Sequence, residues 1–215
     1  MNKLFSIGIP TINQVDYLEP ALKLYTDDFP NTKIYVLDNG LQDFRLTYNN
    51  VEVVRNYDPF PISKSWNWLC KKIFEHSDNA LILNDDIYLG RSESDIHSLL
   101  ISQSHKSTDL FCAEHNYDCF SAFILPKQTF TEIGGFDEEF SGCYYEDSDY
   151  LRWLTVTNNK NVLYTPVLNS EFFKRNSSIT KNPKLAETKQ INERRYITKW
   201  GGPINGETFQ TPFGK

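Results

Sequence analysis

The sequence predicts an α/β fold, a single domain over residues 1–215 with a largely parallel central sheet flanked by helices. Three observations carry that prediction. Short apolar runs such as Ala80-Leu81-Ile82-Leu83 show no alternation, which suits strands buried on both faces. Stretches with helical spacing separate these runs, as crossover connections between parallel strands require. Several runs end in polar groups, and open α/β sheets bind ligands beyond the carboxyl ends of their strands.

Taken in order, Phe5-Ser6-Ile7-Gly8-Ile9-Pro10 reads as the first strand, stopped by Pro10. Thr11 to Asn13 offer a helix cap, and Val15, Leu18, Leu22 and Tyr25 follow at helical spacing. Ile34 to Leu37 is a second strand that runs into the turn signal Asp38-Asn39-Gly40. Val51 to Val54 is a third. Ser63 is a candidate cap for a helix whose apolar face is Trp66, Leu69, Cys70, Ile73 and Phe74. The strand Ala80–Leu83 then stops at Asn84-Asp85-Asp86. Beyond it come a helix around Ile96, Leu99 and Leu100, strands at Leu110–Ala113 and Phe120–Leu125, and a short helix ending at Gly134-Gly135. Tyr150, Leu151 and Leu154 place another helix, with Glu146-Asp147 in its first turn. Val162-Leu163-Tyr164 is a late strand, and Pro183 opens a last helix that reaches Trp200. Residues 1–105 and 106–200 read as two halves of this domain, followed by an irregular tail at 201–215.

Composition narrows the class. Hydrophobic residues make 40% and aromatics 14%, values of a chain with a packed core. The net charge of −6 argues against a general nucleic-acid binder. No apolar run approaches the roughly 20 residues that span a bilayer. The N-terminus has no secretory apolar region, so a cytoplasmic location with reduced cysteines is expected. Cys70, Cys112, Cys119 and Cys143 lack paired metal-ligand spacing, and His76, His97, His105 and His115 are scattered. Asn176-Ser177-Ser178 matches a glycosylation sequon, which means little without a secretory signal.

Four polar clusters stand at strand ends or helix starts: Pro10-Thr11, Asp38-Asn39, Asn84-Asp85-Asp86 and Glu146-Asp147. Each has a plain alternative. An acidic pair after a strand is commonly just a polar turn, and carboxylates in a first helical turn are favoured by the dipole. Together they match the parts that sugar transfer from a nucleotide needs. Those parts are a grip on base and ribose, a cation against the leaving diphosphate, and a carboxylate to take the acceptor proton.

These residues, with Ser6-Ile7-Gly8-Ile9-Pro10-Thr11, Leu83-Asn84-Asp85-Asp86, Gly134-Gly135-Phe136-Asp137 and Tyr145-Glu146-Asp147-Ser148-Asp149-Tyr150, resemble the inverting family 2 of GT-A fold glycosyltransferases over residues 4–175. The resemblance implies a Rossmann-like GT-A domain, a donor that is a UDP-sugar and a divalent cation, Mn²⁺ or Mg²⁺. It implies a hydroxyl acceptor on a glycan or glycoconjugate. It puts Pro10, Thr11, Asp38 and Asn39 at the uracil and ribose, with Asn67 on a helix nearby. Asn84 and Asp85 would lie by the ribose or the cation, with Asp86 as principal metal ligand. Asp147 would be the catalytic base, with Glu146 beside it.

Two departures stand out. The acidic motif is Asn-Asp-Asp, whose first position is not anionic. No His follows the late strand, which leaves Glu171 or water as a further ligand. Lys174-Arg175 reads either as part of a loop closing over the donor phosphates or as a solvated pair, and Lys64 as a solvated lysine. Tyr144 and Tyr145 offer a sugar-stacking surface or simple packing. Two rival functions remain open. A nucleotidyltransferase would want a Gly- and Lys/Arg-rich loop after the first strand, which Gly8-Ile9-Pro10-Thr11 lacks. The other rival is a non-catalytic glycan-binding member.

Overall fold

The computed structural model describes residues 3–45, 47–104, 108–114, 120–172 and 184–215. Lys174-Arg175, the sequon Asn176-Ser177-Ser178, Pro183, Cys119, His105 and His115 lie outside the described residues. The strands are β1 (Lys3–Thr11), β2 (Ile34–Asp38), β3 (Val51–Arg55), β4 (Ser77–Leu83), β5 (Ile87–Tyr88), β6 (Leu110–Cys112), β7 (Ala122–Pro126), β8 (Val162–Tyr164) and β9 (Glu171–Phe172). The helices are α1 (Val15–Asp28), α2 (Ile62–Ile73), α3 (Glu93–Gln103), α4 (Lys127–Ile133), α5 (Glu146–Arg152) and α6 (Lys184–Trp200). A π-helical turn, Trp153–Thr157, continues α5.

Seven strands form one sheet in the order β3-β2-β1-β4-β7-β6-β8, and β5 and β9 make a separate antiparallel pair. The expected parallel character holds for β1 with β2 and β4, β2 with β3, and β6 with β8. The exception is β7, antiparallel to both β4 and β6. Because it runs backwards, its start lies at the edge where β4 ends, and the Asn84 N–H bonds the Ser121 carbonyl at 2.9 Å.

Successive residues of each central strand enter different cores, which is why the strands read as unbroken apolar runs. Phe5, Ile7 and Ile9 of β1, Ile34 and Val36 of β2, and Leu81 and Leu83 of β4 pack with α1 and α3. Tyr35, Leu37, Ala80 and Ile82 pack with Leu69, Cys70 and Ile73 of α2. Gly8 permits this approach, since a Cβ there would stand 2.9 Å from Ile82 Cδ1 and 3.2 Å from Leu69 Cβ. A third cluster of Phe140, Tyr196 and Trp200 seats α6.

Two expected caps differ. α1 starts after Gln14 without a side-chain cap, because Asn13, at φ 56°, sits against Gly40 rather than on the helix. α2 is capped at Pro61, which places Ser63 inside the helix, where its hydroxyl donates to the Phe140 carbonyl at 3.4 Å. The pairing of β5 with β9 had no legible signal, since each strand is two residues long.

Candidate active site

Parallel pairing places the exits of β1, β2 and β4 on one edge, with Thr11 opposite Asp38. Asp38 is fully buried and its carboxylate accepts from the Gly40 N–H at 2.9 Å, the Gln42 N–H at 2.7 Å and Gln42 Nε2 at 3.0 Å. Gln42 Nε2 also reaches Thr11 Oγ1 at 3.1 Å. The Thr11 hydroxyl in turn bonds the Asp85 carboxyl. A continuous polar chain, Asp38–Gln42–Thr11–Asp85, therefore crosses three strand exits. Gln42 has no signal in the sequence, since a lone glutamine in a loop carries no pattern.

Asn39 is pinned on both sides. Its Nδ2 donates to Ser65 Oγ at 3.1 Å, and its Oδ1 accepts from Asn56 Nδ2 at 2.8 Å and the Phe60 N–H at 3.1 Å. Beside Pro10, the Thr11 carbonyl accepts the Asn39 N–H at 2.9 Å.

Asp85 and Asp86 follow β4 and are both buried. Burial lifts the Asp85 carboxyl to about 7, against the bond from Thr11 and with the neighbouring Asp86 charge adding to the rise. The backbone just beyond them is held by α1, since the buried Tyr25 hydroxyl donates to the Ile87 carbonyl at 3.0 Å. Glu171 is exposed and pairs with Tyr88, two positions past Asp86.

Among the described residues, no group of three or more His, Cys, Asp or Glu gathers as a metal cage. Two adjacent carboxylates, one of them strongly disfavoured as a bare anion, suit a cation that takes its remaining ligands from phosphate and water. Mg²⁺ and similar ions bind nucleotides in this way.

The second group of residues is built around Gly134-Gly135-Phe136-Asp137. Gly134, at φ 85°, ends α4. Gly135 lets Asn67 approach, since a Cβ there would stand 2.1 Å from Asn67 Oδ1. The Asn67 amide accepts the Phe136 N–H at 2.8 Å and donates to the Phe136 carbonyl at 2.8 Å and Glu138 Oε1 at 2.9 Å. Asn67 thus holds this turn. The Phe136 ring stacks on Tyr150 of α5 at 4.1 Å. Asp137 binds Arg195 at 2.9 Å and Lys199 at 2.8 Å.

Glu146 and Asp147 open α5 as expected, but from two consecutive left-handed residues, Tyr144 (φ 81°) and Tyr145 (φ 72°). The two carboxylates differ. Glu146 is buried, its Oε2 has no hydrogen-bond partner among the described residues, and burial followed by the Asp147 charge raises it to about 8. Asp147 is only partly buried, and its Oδ1 accepts from the Ser148 N–H at 2.6 Å. Tyr145 packs on Tyr196, ring centroids 5.5 Å apart, so one of the two candidate stacking tyrosines is taken up by packing. Lys64 lies over the Phe60 ring at 4.1 Å.

No protein-family model matches the sequence, and no curated protein does. Solved structures do match. The mannosyltransferase PcManGT from Pyrobaculum calidifontis, in complex with GDP-Man and Mn²⁺, aligns over 96% of this chain and 68% of its own at a TM-score of 0.64 and 12% identity. GalNAc-T7 with UDP, GalNAc and Mn²⁺ aligns over 93% of this chain at a TM-score of 0.70 and 11% identity.

The chain has the GT-A fold.

Drosophila β1,4-galactosyltransferase 7, solved with manganese, UDP-Gal and xylobiose, shares this GT-A architecture over 81% of the chain at a TM-score of 0.53 and 10% identity. The chain spans about half of GalNAc-T7, 48% of its length. Among the described residues, no helix of this GT-A domain is long and apolar enough to cross a membrane.

Proposed function

We propose that the chain is a metal-dependent, inverting glycosyltransferase of the family 2 type. It moves a sugar from a nucleoside diphosphate, UDP in our reading, to a hydroxyl of a glycan or glycoconjugate acceptor. The observation that carries the proposal is the polar chain Asp38–Gln42–Thr11–Asp85 across the exit edge of a GT-A sheet, with Asp86 beside it. Structures of the same fold hold Mn²⁺ with GDP-Man or UDP.

In this reading Thr11, Asp38 and Asn39 shape the pocket for base and ribose. Asp38 spends three acceptor positions on its own loop, and a carboxylate has about four. Fully buried, Asp38 acts on the pocket through that loop rather than by touching the base. Pro10 and Asn84 border the pocket, and Asn67 acts through the turn that it holds. Asp85 and Asp86 would hold the cation, which when bound offsets charge on the diphosphate.

Asp147 takes the proton of the acceptor hydroxyl. The acceptor oxygen bonds the anomeric carbon as the bond to the diphosphate breaks on the opposite face. Of the two neighbouring carboxylates, Asp147 suits the base role better. A group raised to about 8, as Glu146 is, carries its proton at neutral pH, whereas a base must be ionised.

Incubation with nucleotide sugars and Mn²⁺, scored for donor hydrolysis and transfer, tests the proposal. Asp147→Asn should lower turnover about 10²–10⁴-fold, the usual cost of a lost general base, with UDP affinity near wild type. Glu146→Gln should keep most activity. The reverse pattern would move the base by one residue, and full activity in both variants would remove the mechanism.

A further inference from the structure

The loop that leads into Glu146-Asp147 adopts a backbone that its sequence disfavours. Gly142 sits at φ 64°, and two bulky residues, Tyr144 and Tyr145, follow at positive φ directly before the first turn of α5. Non-glycine residues seldom enter this region, and a consecutive pair needs outside support. The direction in which α5 starts, and with it the place of the Asp147 carboxylate, depends on those two residues. The Tyr145 side chain makes no capping bond to α5.

The support comes from one face of α6. Asn192 is fully buried, and its Nδ2 donates to the carbonyls of Ser141 at 2.8 Å, Cys143 at 3.0 Å and Tyr144 at 2.9 Å. Three carbonyls share two hydrogens. Its Oδ1 accepts the Ser141 N–H at 3.2 Å. One turn earlier, Thr188 Oγ1 donates to the Cys143 carbonyl at 3.2 Å and meets the Cys143 N–H at 3.5 Å. Further along, Tyr196 packs on Tyr145. At the end of the helix, Lys199 Nζ and Trp200 Nε1 bind Asp149, at 2.9 and 2.8 Å. Residues 188, 192, 196, 199 and 200 follow helical spacing, so one stripe grips the chain on both sides of Glu146-Asp147.

We propose, on the strength of the transferase reading above, that Asn192 and Thr188 are positioning residues for Asp147. By fixing the left-handed pair Tyr144-Tyr145 they set where the base stands against the acceptor hydroxyl. The polar stripe does more than attach a helix. Burying an asparagine to collect three carbonyls from one loop gives that loop a single conformation, because each carbonyl would be left unpaired in any other.

The test measures kcat, KM for the donor, UDP affinity by calorimetry with Mn²⁺, and thermal unfolding in Asn192→Ala and Thr188→Val, with Thr188→Ser as the variant that keeps the hydroxyl. Small misplacements of a reacting group can cost about 10²-fold. The expected result is a kcat lower by about 10- to 100-fold per folded molecule, donor KM and UDP affinity within about twofold, and recovery of kcat in Thr188→Ser. A lower melting temperature with kcat per folded molecule unchanged would overturn the inference and leave a purely structural role. If Asn192→Ala does not fold, Thr188→Val against Thr188→Ser decides by the same criteria. A wild-type protein that turns over no nucleotide sugar would overturn the transferase reading and this inference with it. Turnover in wild type that survives both variants would overturn the inference alone.

Discussion

Glu146 and Asp86 show what single side chains contribute. Burial raises the folded Glu146 carboxyl from an ordinary 4.5 to about 8, so between those values the folded protein holds a proton that the unfolded chain has released. Stability therefore falls as pH rises through that window. Glu146→Gln removes the titration, and its melting temperature should gain on wild type steadily from pH 4.5 to 8. Parallel melting curves across that range would mean that Glu146 ionises normally. Asp86→Ala removes the proposed principal ligand at an exit turn rather than from the core. UDP affinity in the presence of Mn²⁺ should fall by at least about 100-fold, the upper end of what losing a mere orienting partner costs. Circular dichroism should be unchanged, and calorimetric affinity equal to wild type would take Asp86 out of the metal site.

At the scale of elements, the turn between α4 and α5 shows how a motif acts through its backbone. Gly135 has no side chain so that Asn67 can lie against it and hold residues 136–138. Gly135→Ala would push the Asn67 amide aside and strand its partners, a loss of about 2–3 kcal/mol. Asn67→Ala should cost a similar amount. The double variant should cost less than the sum, because Asn67 no longer stands in the way of the added methyl and only the Phe130 ring, 2.7 Å from it, has to shift. Urea denaturation of the three proteins measures this, and strict additivity would show that the two residues act separately. The left-handed pair Tyr144-Tyr145 is a second such element. Strain of about 1–3 kcal/mol per residue persists only where neighbours fix the conformation, here Asn192 and Thr188.

For the whole molecule, the deciding contact is that of α6 with the glycine turn and α5. Lys199 is buried between Asp137, from the glycine turn, and Asp149, from α5. Trp200 lies fully buried below it. Lys199→Met removes the cation and leaves Asp149 buried without its ion pair, although Asp137 keeps Arg195. Breaking a buried pair from one side costs about 3–5 kcal/mol. The loss should shrink in acid, where the stranded carboxylate can take up a proton. A denaturation midpoint in Lys199→Met that matches wild type at neutral pH would show that α6 is held by its apolar contacts alone.

The sequence by itself determined the α/β class, the strand at Ala80–Leu83 and its acidic exit, and the placing of Glu146-Asp147 at a helix start. These rest on local patterns, since burial on both faces leaves unbroken apolar runs and helix starts carry their own residue preferences. The tertiary structure alone decided that β7 runs antiparallel between β4 and β6, that two-residue strands pair near Asp86, and that Gln42 links Asp38 to Thr11. It also decided that Asn67 serves a turn nearly seventy residues away, that Asn192 holds the loop before α5 and that Lys199 holds the helix itself. Each of these is a contact between distant parts of the chain, made by a polar residue whose neighbours in sequence resemble any loop or solvated helix. How differently the adjacent Glu146 and Asp147 are surrounded was hidden for the same reason. It depends on how deeply each is buried, and only the packed fold sets that.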